Sequence, residues 1–271
     1  MPANSGSEKS EMTFFDHLDA LRKNLVRIVL AILIFTILAF IFKDIIFDDI
    51  IFGPKDPDFP TNQWFCSLGL YMDIPELCIN KLSFNTINTD LSGQFRLHLM
   101  VSLIAGLILA FPYLIWELWR FIKPALKQKE IEKFKGFISF ASILFFIGIF
   151  FGYFIISPLT INFLFNYEAS SQITNLIDID SYLTTIITLV LVSGLIFELP
   201  VLIFLLSNLG VLTPEFLRKY RRHSIVVIFI VAAIITPPDV FSQVLVGLPL
   251  VGLYEFGIGI SARVQRKRNS S

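Results

Sequence analysis

Residues 189–207 read LVLVSGLIFELPVLIFLLS, an apolar run long enough to cross a lipid bilayer. Glu198 lies near the middle of this run, and Pro200 follows two residues later. A carboxyl group at that depth is costly when it faces lipid, so we expect Glu198 to face protein or water. Proline removes a backbone donor and displaces the carbonyl one turn earlier, which predicts a bend beside the acid. The run therefore predicts a kinked membrane helix with a concave polar surface. A Glu198 that is silently paired inside a helix bundle is the alternative.

The composition of the whole chain is that of a membrane protein. Hydrophobic residues make up 55% of the 271 residues and the mean hydropathy is +0.71, whereas soluble domains are about 45–50% apolar. Phe contributes 29 residues, which suits lipid-facing and interfacial positions. The 2 Cys and 3 His are scattered along the chain. These observations predict an all-α polytopic membrane protein without a large soluble domain, a catalytic Cys or His cluster, or a metal site.

The N-terminal region predicts a surface helix that continues into the first span. Residues 1–12 are polar, and we expect them to be disordered. Thr13 can act as an N-cap, and Asp16 can close a capping box with it. Apolar residues then recur at helical spacing, which predicts an amphipathic helix leading into a span over about residues 24–42.

Residues 43–93 form the longest hydrophilic segment. Pro54, Pro57 and Pro60 interrupt its first part, which predicts extended or turn structure there rather than a long helix. Cys66 and Cys78 both lie in this segment. A disulfide between them is one alternative if the segment lies outside the cytoplasm. Two unpaired thiols are the other.

Five further apolar segments predict a total of six spans, and the last two are unusually short. They cover about residues 94–116, 136–156, 182–206, 225–235 and 244–260. Eleven to thirteen helical residues reach only roughly 16–20 Å, against a hydrocarbon core of about 30 Å. The turn at residues 236–239 must then lie within the bilayer, or the bilayer must thin to meet it. A re-entrant hairpin is the competing account, but six segments of alternating direction fit the charges better.

The basic residues predict the orientation. If the six segments alternate in direction, eighteen of the 22 Lys and Arg residues fall on one side. The positive-inside rule makes this side, and with it both termini, cytoplasmic. The predicted organisation is a disordered N-terminus at 1–12, a six-span membrane domain at 13–262 with its first extracytoplasmic loop at about 43–93, and a basic cytoplasmic tail at 263–271.

Four motifs resemble the TatC family, the C subunit of the twin-arginine translocase. They are HLDALRK at residues 17–23, WRFIKPAL at 119–126, FELP at 197–200 and TPPDVFSQ at 236–243. The resemblance extends from about Phe14 to Arg263 in family order. The Thr-Pro-Pro-Asp stretch is the most specific of the four, and their combination on six predicted spans is strong.

This resemblance implies a receptor that is not an enzyme and uses no cofactor. Such a receptor binds the twin-arginine signal peptides of folded proteins at the cytoplasmic face. It recruits single-span partners of the TatA and TatB type, self-associates in a receptor complex and is driven by the proton gradient. It lies in the lipid bilayer of the bacterial cytoplasmic (inner) membrane and binds no nucleic acid. The family fold resembles a cupped hand of six tilted helices, with the acid of the fourth helix on the concave side.

The resemblance also implies a set of signal-binding residues. Carboxylates match guanidinium groups in bidentate geometry, and Glu130 occupies the position of the family's signal-binding acid. Phe121, Pro124 and Leu126 match the segment before that acid and shape the loop and the signal's apolar contact. An ordinary surface ion pair is the alternative for Glu130, and an interfacial aromatic belt is the alternative for Phe121.

One position departs from the family pattern in the first motif. Many relatives carry Glu immediately before Leu-Arg, and this chain has Ala20 there. Asp19 is therefore the candidate for the second recognition acid, and Arg22 joins it in the signal-binding set. A surface role at the N-terminus is the alternative for Asp19, and headgroup anchoring is the alternative for Arg22.

A second set of residues is implied to bind the membrane helices of partners. Glu198 resembles the family acid that attracts the polar residue of a partner's span, and Gln243 looks like a further polar contact. Asp239 joins this set, with capping of the sixth helix as an equal alternative. Tyr153 and Pro54 match family positions on the outer side, and both are interpreted as structural.

The competing function is a proton-coupled secondary transporter that uses Glu198 as its proton site. A transporter would account for one acid beside a kink. It would not account for two undersized spans, and no second polar group is evident in the first three spans. A membrane enzyme is disfavoured because facing acids or His pairs at a common depth are lacking.

Overall fold

A computed structural model describes residues 14–56, 58–73, 78, 86–123, 136–167, 170, 176–236 and 240–269. Its helices are α1 Phe14–Ile41, α2 Pro60–Met72, α3 Gly93–Ile122, α4 Phe137–Phe151, α5 Ser157–Asn166, α6 Ile179–Phe197, α7 Leu199–Asn208, α8 Pro214–Lys219, α9 Arg221–Ile235 and α10 Val240–Asn269. Wider π-helical turns lie at Ile45–Ile51 and Gly152–Ile156, and a 3-10 turn lies at Gly53–Lys55. Strands β1 Thr86–Ile87 and β2 Ile177–Asp178 pair in parallel. Apart from this strand pair, the predicted all-helical class is confirmed.

Four stretches of the described chain are long and apolar enough to cross a membrane. They are Leu21–Ile41, Gly93–Ile122, Phe137–Asn166 and Ile179–Asn208, which correspond to the first four predicted spans. Helix α9 has 15 residues and is roughly 22 Å long, shorter than a hydrocarbon core of about 30 Å. Helix α10 is longer than predicted, because it continues past its apolar segment and through the basic residues to Asn269. The count of six spans stays a prediction.

The helix is interrupted beside Glu198, where the bend was predicted. Helix α6 ends at Phe197, α7 begins at Leu199, and Glu198 lies between them with φ −75° and ψ −7°. Pro200 occupies the first turn of α7, where its missing N–H is not needed. The acid therefore lies where one long membrane stretch changes from one helix to the next.

The segment between α1 and α3 is only partly as predicted. Turns occupy residues 45–55, as the prolines indicate, but a helix of 13 residues begins at Pro60. Proline starts this helix rather than preventing it, because the first helical position needs no N–H donor. Cys66 and Cys78 are joined by a disulfide, which ties α2 to the chain twelve residues later.

Small residues allow the helices to approach closely. Where α1 crosses α3, a Cβ atom added to Gly106 would lie 2.6 Å from the backbone N of Thr36. Where α4 crosses α6, a Cβ atom added to Gly148 would lie 2.7 Å from the carbonyl O of Ser193. Glycine at both crossings permits the close backbone contact that is typical of helix pairs in membranes.

Two tyrosines hold the first π-helical turn against the bundle. The Tyr153 hydroxyl donates to the Ile50 carbonyl at 2.6 Å, and the Tyr182 hydroxyl donates to the Ile51 carbonyl at 3.0 Å. Pro54 is buried directly after this turn. These contacts agree with the structural interpretation of Tyr153 and Pro54.

Candidate functional site

The beginning of α1 and the end of α3 lie at the same end of the molecule. The two helices are antiparallel, and Arg27 on α1 faces Glu117 on α3. This register brings Asp19 and Arg22 to the level of Phe121, which is half-buried in the last turn of α3. Three of the predicted signal-binding residues thus lie at one level of this helix pair.

The other predicted signal-binding residues, Pro124, Leu126 and Glu130, lie outside the described residues, as does Asp239. Their assignments stay predictions. The described chain stops at Lys123, directly after α3, and resumes at Gly136, so Glu130 lies between these two points in the sequence.

Asp19 already has a partner on its own helix. Lys23 Nζ lies 2.7 Å from Asp19 Oδ2, and both side chains are exposed. The hydrogen bond from Lys23 lowers the pKa of Asp19 below its ordinary value. Because ion pairs between exposed side chains are weak, Lys23 holds the Asp19 carboxylate only loosely.

Glu117 is a buried acid that the sequence analysis missed. Its side chain is 1% exposed, and its Oε1 accepts a hydrogen bond from the Tyr113 hydroxyl at 3.1 Å. Arg27 Nη1 and Arg120 Nη1 lie 3.8 and 3.7 Å from the same oxygen. Asn24 is also buried and lies 3.5 Å from Arg27. A carboxyl group held between two arginines therefore joins α1 to α3.

Glu117 is thus a second polar group within the first three spans, and the prediction that these spans lack one is wrong. The predicted second span ended at Trp116, one residue before this acid, whereas α3 continues to Ile122. The spacing of Tyr113, Glu117 and Arg120 on one helical face was the available signal.

Glu198 is only half-buried, yet one of its carboxyl oxygens is inaccessible to solvent. Within the part of the chain that the structure describes, this Oε1 has no hydrogen-bond partner and Glu198 forms no ion pair. The silent pairing that was the alternative for Glu198 is therefore not observed among those residues. A polar group from elsewhere would satisfy this oxygen.

Gln243 lies beside an open apolar groove between α9 and α10. Its Nε2 donates to the Phe229 carbonyl at 3.1 Å, which fixes the amide against α9. The groove has a volume of about 440 Å³, and the other residues that line it are Ile225, Val226, Phe229, Ile230, Ala233 and Ile234. Gln243 thus lies against α9, and Glu198 lies at the junction of α6 and α7.

The acid of the last helix is paired within its own chain. Glu255 on α10 forms an ion pair with Arg221 at the start of α9, and the neighbouring Tyr254 hydroxyl donates to the Leu217 carbonyl on α8 at 2.8 Å. Among the described residues, no three His, Cys, Asp or Glu side chains are grouped to hold a metal ion.

Comparison with known proteins places these features in one family. The family model described as "Sec-independent protein translocase protein (TatC)" matches residues 16–249. The TatC protein of Blattabacterium sp. subsp. Periplaneta americana is 38% identical, over 97% of this chain and 99% of its own length. The TatC protein of Carboxydothermus hydrogenoformans is 32% identical, over 97% of this chain and 98% of its own length.

A solved structure agrees with the sequence comparisons. The crystal structure of the twin arginine translocase receptor TatC in DDM superposes with a TM-score of 0.69 at 31% identity, and the match covers 90% of this chain and 99% of that one. The chain therefore belongs to the TatC family, the Sec-independent protein translocase proteins that include the twin-arginine translocase receptor.

Proposed function

We propose that this protein binds twin-arginine signal peptides of folded proteins and recruits single-span TatA- and TatB-type partners for export driven by the proton gradient. In this proposal six spans cross the bacterial inner membrane with both termini in the cytoplasm, and several copies associate in a receptor complex. Signal docking and partner recruitment use different residues. Membership of a translocase family supports this function over the proton-coupled transporter.

The observation that carries the proposal is that Glu198 has neither an ion pair nor a hydrogen bond to its buried Oε1 among the described residues. Glu117 also has one buried oxygen without a hydrogen bond, but it lies between two arginines. Leaving a buried polar atom without a partner costs about 1–3 kcal/mol, so a group that reaches Oε1 gains free energy. A polar side chain on a partner's membrane helix is such a group, and interhelical hydrogen bonds in membranes contribute about 0.6–2 kcal/mol. In this proposal the partner helix packs at the interruption beside Glu198 and brings its polar group to the half-buried carboxyl group.

The groove at Gln243 supplies a second place for a partner helix. It is apolar over most of its length, which suits packing of a membrane span. The amide uses one N–H for Phe229 and keeps a second N–H and its carbonyl for hydrogen bonds. A partner span with one polar residue could therefore be held by packing and a single hydrogen bond.

Signal docking is proposed for the end of the molecule that carries Asp19, Arg22 and Phe121. Glu130, with Pro124 and Leu126 before it, belongs to the segment of sequence that follows α3. The exposed Asp19 carboxylate can exchange Lys23 for an arginine of the signal, and arginine has the advantage of bidentate geometry. Two carboxylates at one end would thus meet two guanidinium groups.

Site-specific crosslinking of the full-length protein in membranes tests both parts. A photoreactive signal peptide with paired arginines measures signal docking, and a photoreactive residue in a partner's span measures recruitment. Glu130→Ala should reduce signal crosslinking and leave recruitment intact, with Glu132→Ala in the same loop as the matched control. Glu198→Ala should weaken recruitment by about 3- to 30-fold, the equivalent of one interhelical hydrogen bond.

Two further variants make the result specific. Glu198→Gln keeps a hydrogen-bonding group of similar size, so it should retain most of the recruitment that Glu198→Ala loses. Replacement of the signal's arginines by lysines should abolish signal crosslinking to the unaltered protein. Equal loss of both crosslinks in Glu130→Ala and in Glu198→Ala would show that the two proposed sites are one.

A further inference from the structure

Helix α2 is an exposed helix without any charged side chain. Its sequence, PTNQWFCSLGLYM, contains no Asp, Glu, Lys or Arg. One face packs on the protein through Thr61, Asn62 and Phe65, which are all buried. The opposite face carries three large side chains that are 58%, 73% and 89% exposed: Trp64, Leu70 and Tyr71. An uncharged face of this kind is not typical of a helix surrounded by water.

The start of α2 is fixed at the end of a lipid-facing row of side chains. Exposed side chains recur at helical spacing along the third membrane stretch, at Ile143, Ile147, Phe150 and Phe154. Phe59, immediately before α2, stacks on Phe154 with ring centroids 5.5 Å apart. Helix α2 therefore leaves the bundle on its lipid-facing side.

The length of that row places α2 near a membrane surface. Phe137 begins α4 and contacts Trp119 in the last turns of α3, at the other end of this row. Phe154 follows seventeen residues later, a rise of about 26 Å. This distance is close to the thickness of the hydrocarbon core, about 30 Å. The stacked pair of Phe59 and Phe154 thus lies close to the opposite boundary between hydrocarbon and headgroups.

We propose that α2 lies in this membrane interface and inserts Trp64, Leu70 and Tyr71 between phospholipid headgroups and the upper acyl chains. Trp and Tyr favour this depth because their rings are apolar and their N–H and O–H groups can reach water. Continuity with the lipid-facing row favours lipid over a protein partner as the occupant. The Cys66–Cys78 disulfide holds the middle of the helix to the following chain, so that the exposed face keeps one orientation.

Tryptophan quenching in vesicles tests this assignment. The full-length protein and its Trp64→Phe variant are reconstituted in phospholipids brominated either near the glycerol end or near the methyl end of the acyl chain. The difference between the two proteins gives the emission of Trp64. We expect quenching by the glycerol-end bromines to be at least about twofold stronger than by the methyl-end bromines, as for a shallow interfacial helix. Aqueous iodide should quench this emission only weakly.

Two outcomes would overturn the proposal. Strong quenching by iodide without quenching by either brominated lipid would place α2 in water. Protection from iodide and from both lipids would mean that a protein, such as a second copy of this chain, covers Trp64. The corresponding Trp116→Phe difference supplies a reference, because Trp116 is 45% exposed near the C-terminal end of α3. An intact Cys66–Cys78 bridge in each variant shows that the covalent anchor of α2 is retained.

Discussion

Removing the two arginines around Glu117 should destabilise the protein more than removing the acid itself. In Arg27→Ala/Arg120→Ala the carboxyl group stays buried at 1% exposure and loses both compensating charges. Taking one side of a buried ion pair away typically costs about 3–5 kcal/mol, because the remaining charge cannot reach water. We expect a loss of this size in the free energy of unfolding.

The distances in the structure lead to a similar value. Unit charges 3.7–3.8 Å apart interact by about 4 kcal/mol at an effective dielectric constant of about 20. The arginine side chains are 42% and 54% exposed, so solvent screens both interactions with Glu117. If screening removes half of each interaction energy, about 2 kcal/mol remains for each arginine. Glu117→Leu instead frees two arginines that already reach water. Its main loss is the hydrogen bond from Tyr113, about 1 kcal/mol.

Unfolding in mixed micelles, followed by circular dichroism, would measure these free energies. Arg22→Ala/Lys23→Ala is a matched control. It also removes two cations, both from α1, but their side chains are exposed. The triple variant Glu117→Leu/Arg27→Ala/Arg120→Ala should recover most of the stability that the double variant loses. The reasoning is refuted if Glu117→Leu costs as much as the arginine double variant, or if that variant costs no more than the control.

Three further predictions concern packing and covalent structure. Gly148→Leu should prevent the close approach of α4 to α6 and so lower the yield of folded protein in size-exclusion chromatography. Gly252→Leu should leave this yield unchanged, because an added Cβ at Gly252 meets nothing within 4 Å. Tyr182→Phe removes a buried hydrogen bond to a backbone carbonyl and should cost about 1–3 kcal/mol in the same micelle titration; an unchanged midpoint would contradict the role of this bond. Cys66→Ser opens the loop to Cys78 and should cost about 3 kcal/mol, with reduction of the unaltered protein giving the same shift.

Features that depend on neighbouring residues in the chain were predictable from the sequence. An acid followed by a proline two residues later was sufficient to predict the interruption at Glu198, because both effects act within one helical turn. The prediction that prolines prevent a helix was wrong at Pro60, where α2 begins. Proline stops a helix only from its interior, and whether Pro60 is an interior or a first residue depends on Phe59 packing against Phe154.

Features that depend on tertiary register could not be obtained in this way. The sequence places Glu117 beside Trp116 and Trp119, and its burial becomes evident only when Arg27 from another helix lies against it. The bond from Gln243 to Phe229 likewise requires the pairing of α9 with α10. Hydropathy and spacing describe one helix at a time, whereas these contacts are set by two.

Three acids of the helix bundle differ in whether their charges are compensated, and this difference indicates which of them is available to another chain. Glu117 lies between Arg27 and Arg120, and Glu255 pairs with Arg221, so the charges of both are compensated within the protein. Glu117 and Glu198 each have one buried oxygen without a hydrogen bond. What distinguishes Glu198, in a similarly apolar stretch, is that no such cation lies beside it among the described residues. The bundle compensates Glu117 and Glu255 with arginines, so it shows no general tolerance for uncompensated buried carboxyl groups. A partner that supplies the missing group is therefore the better explanation for the uncompensated Glu198.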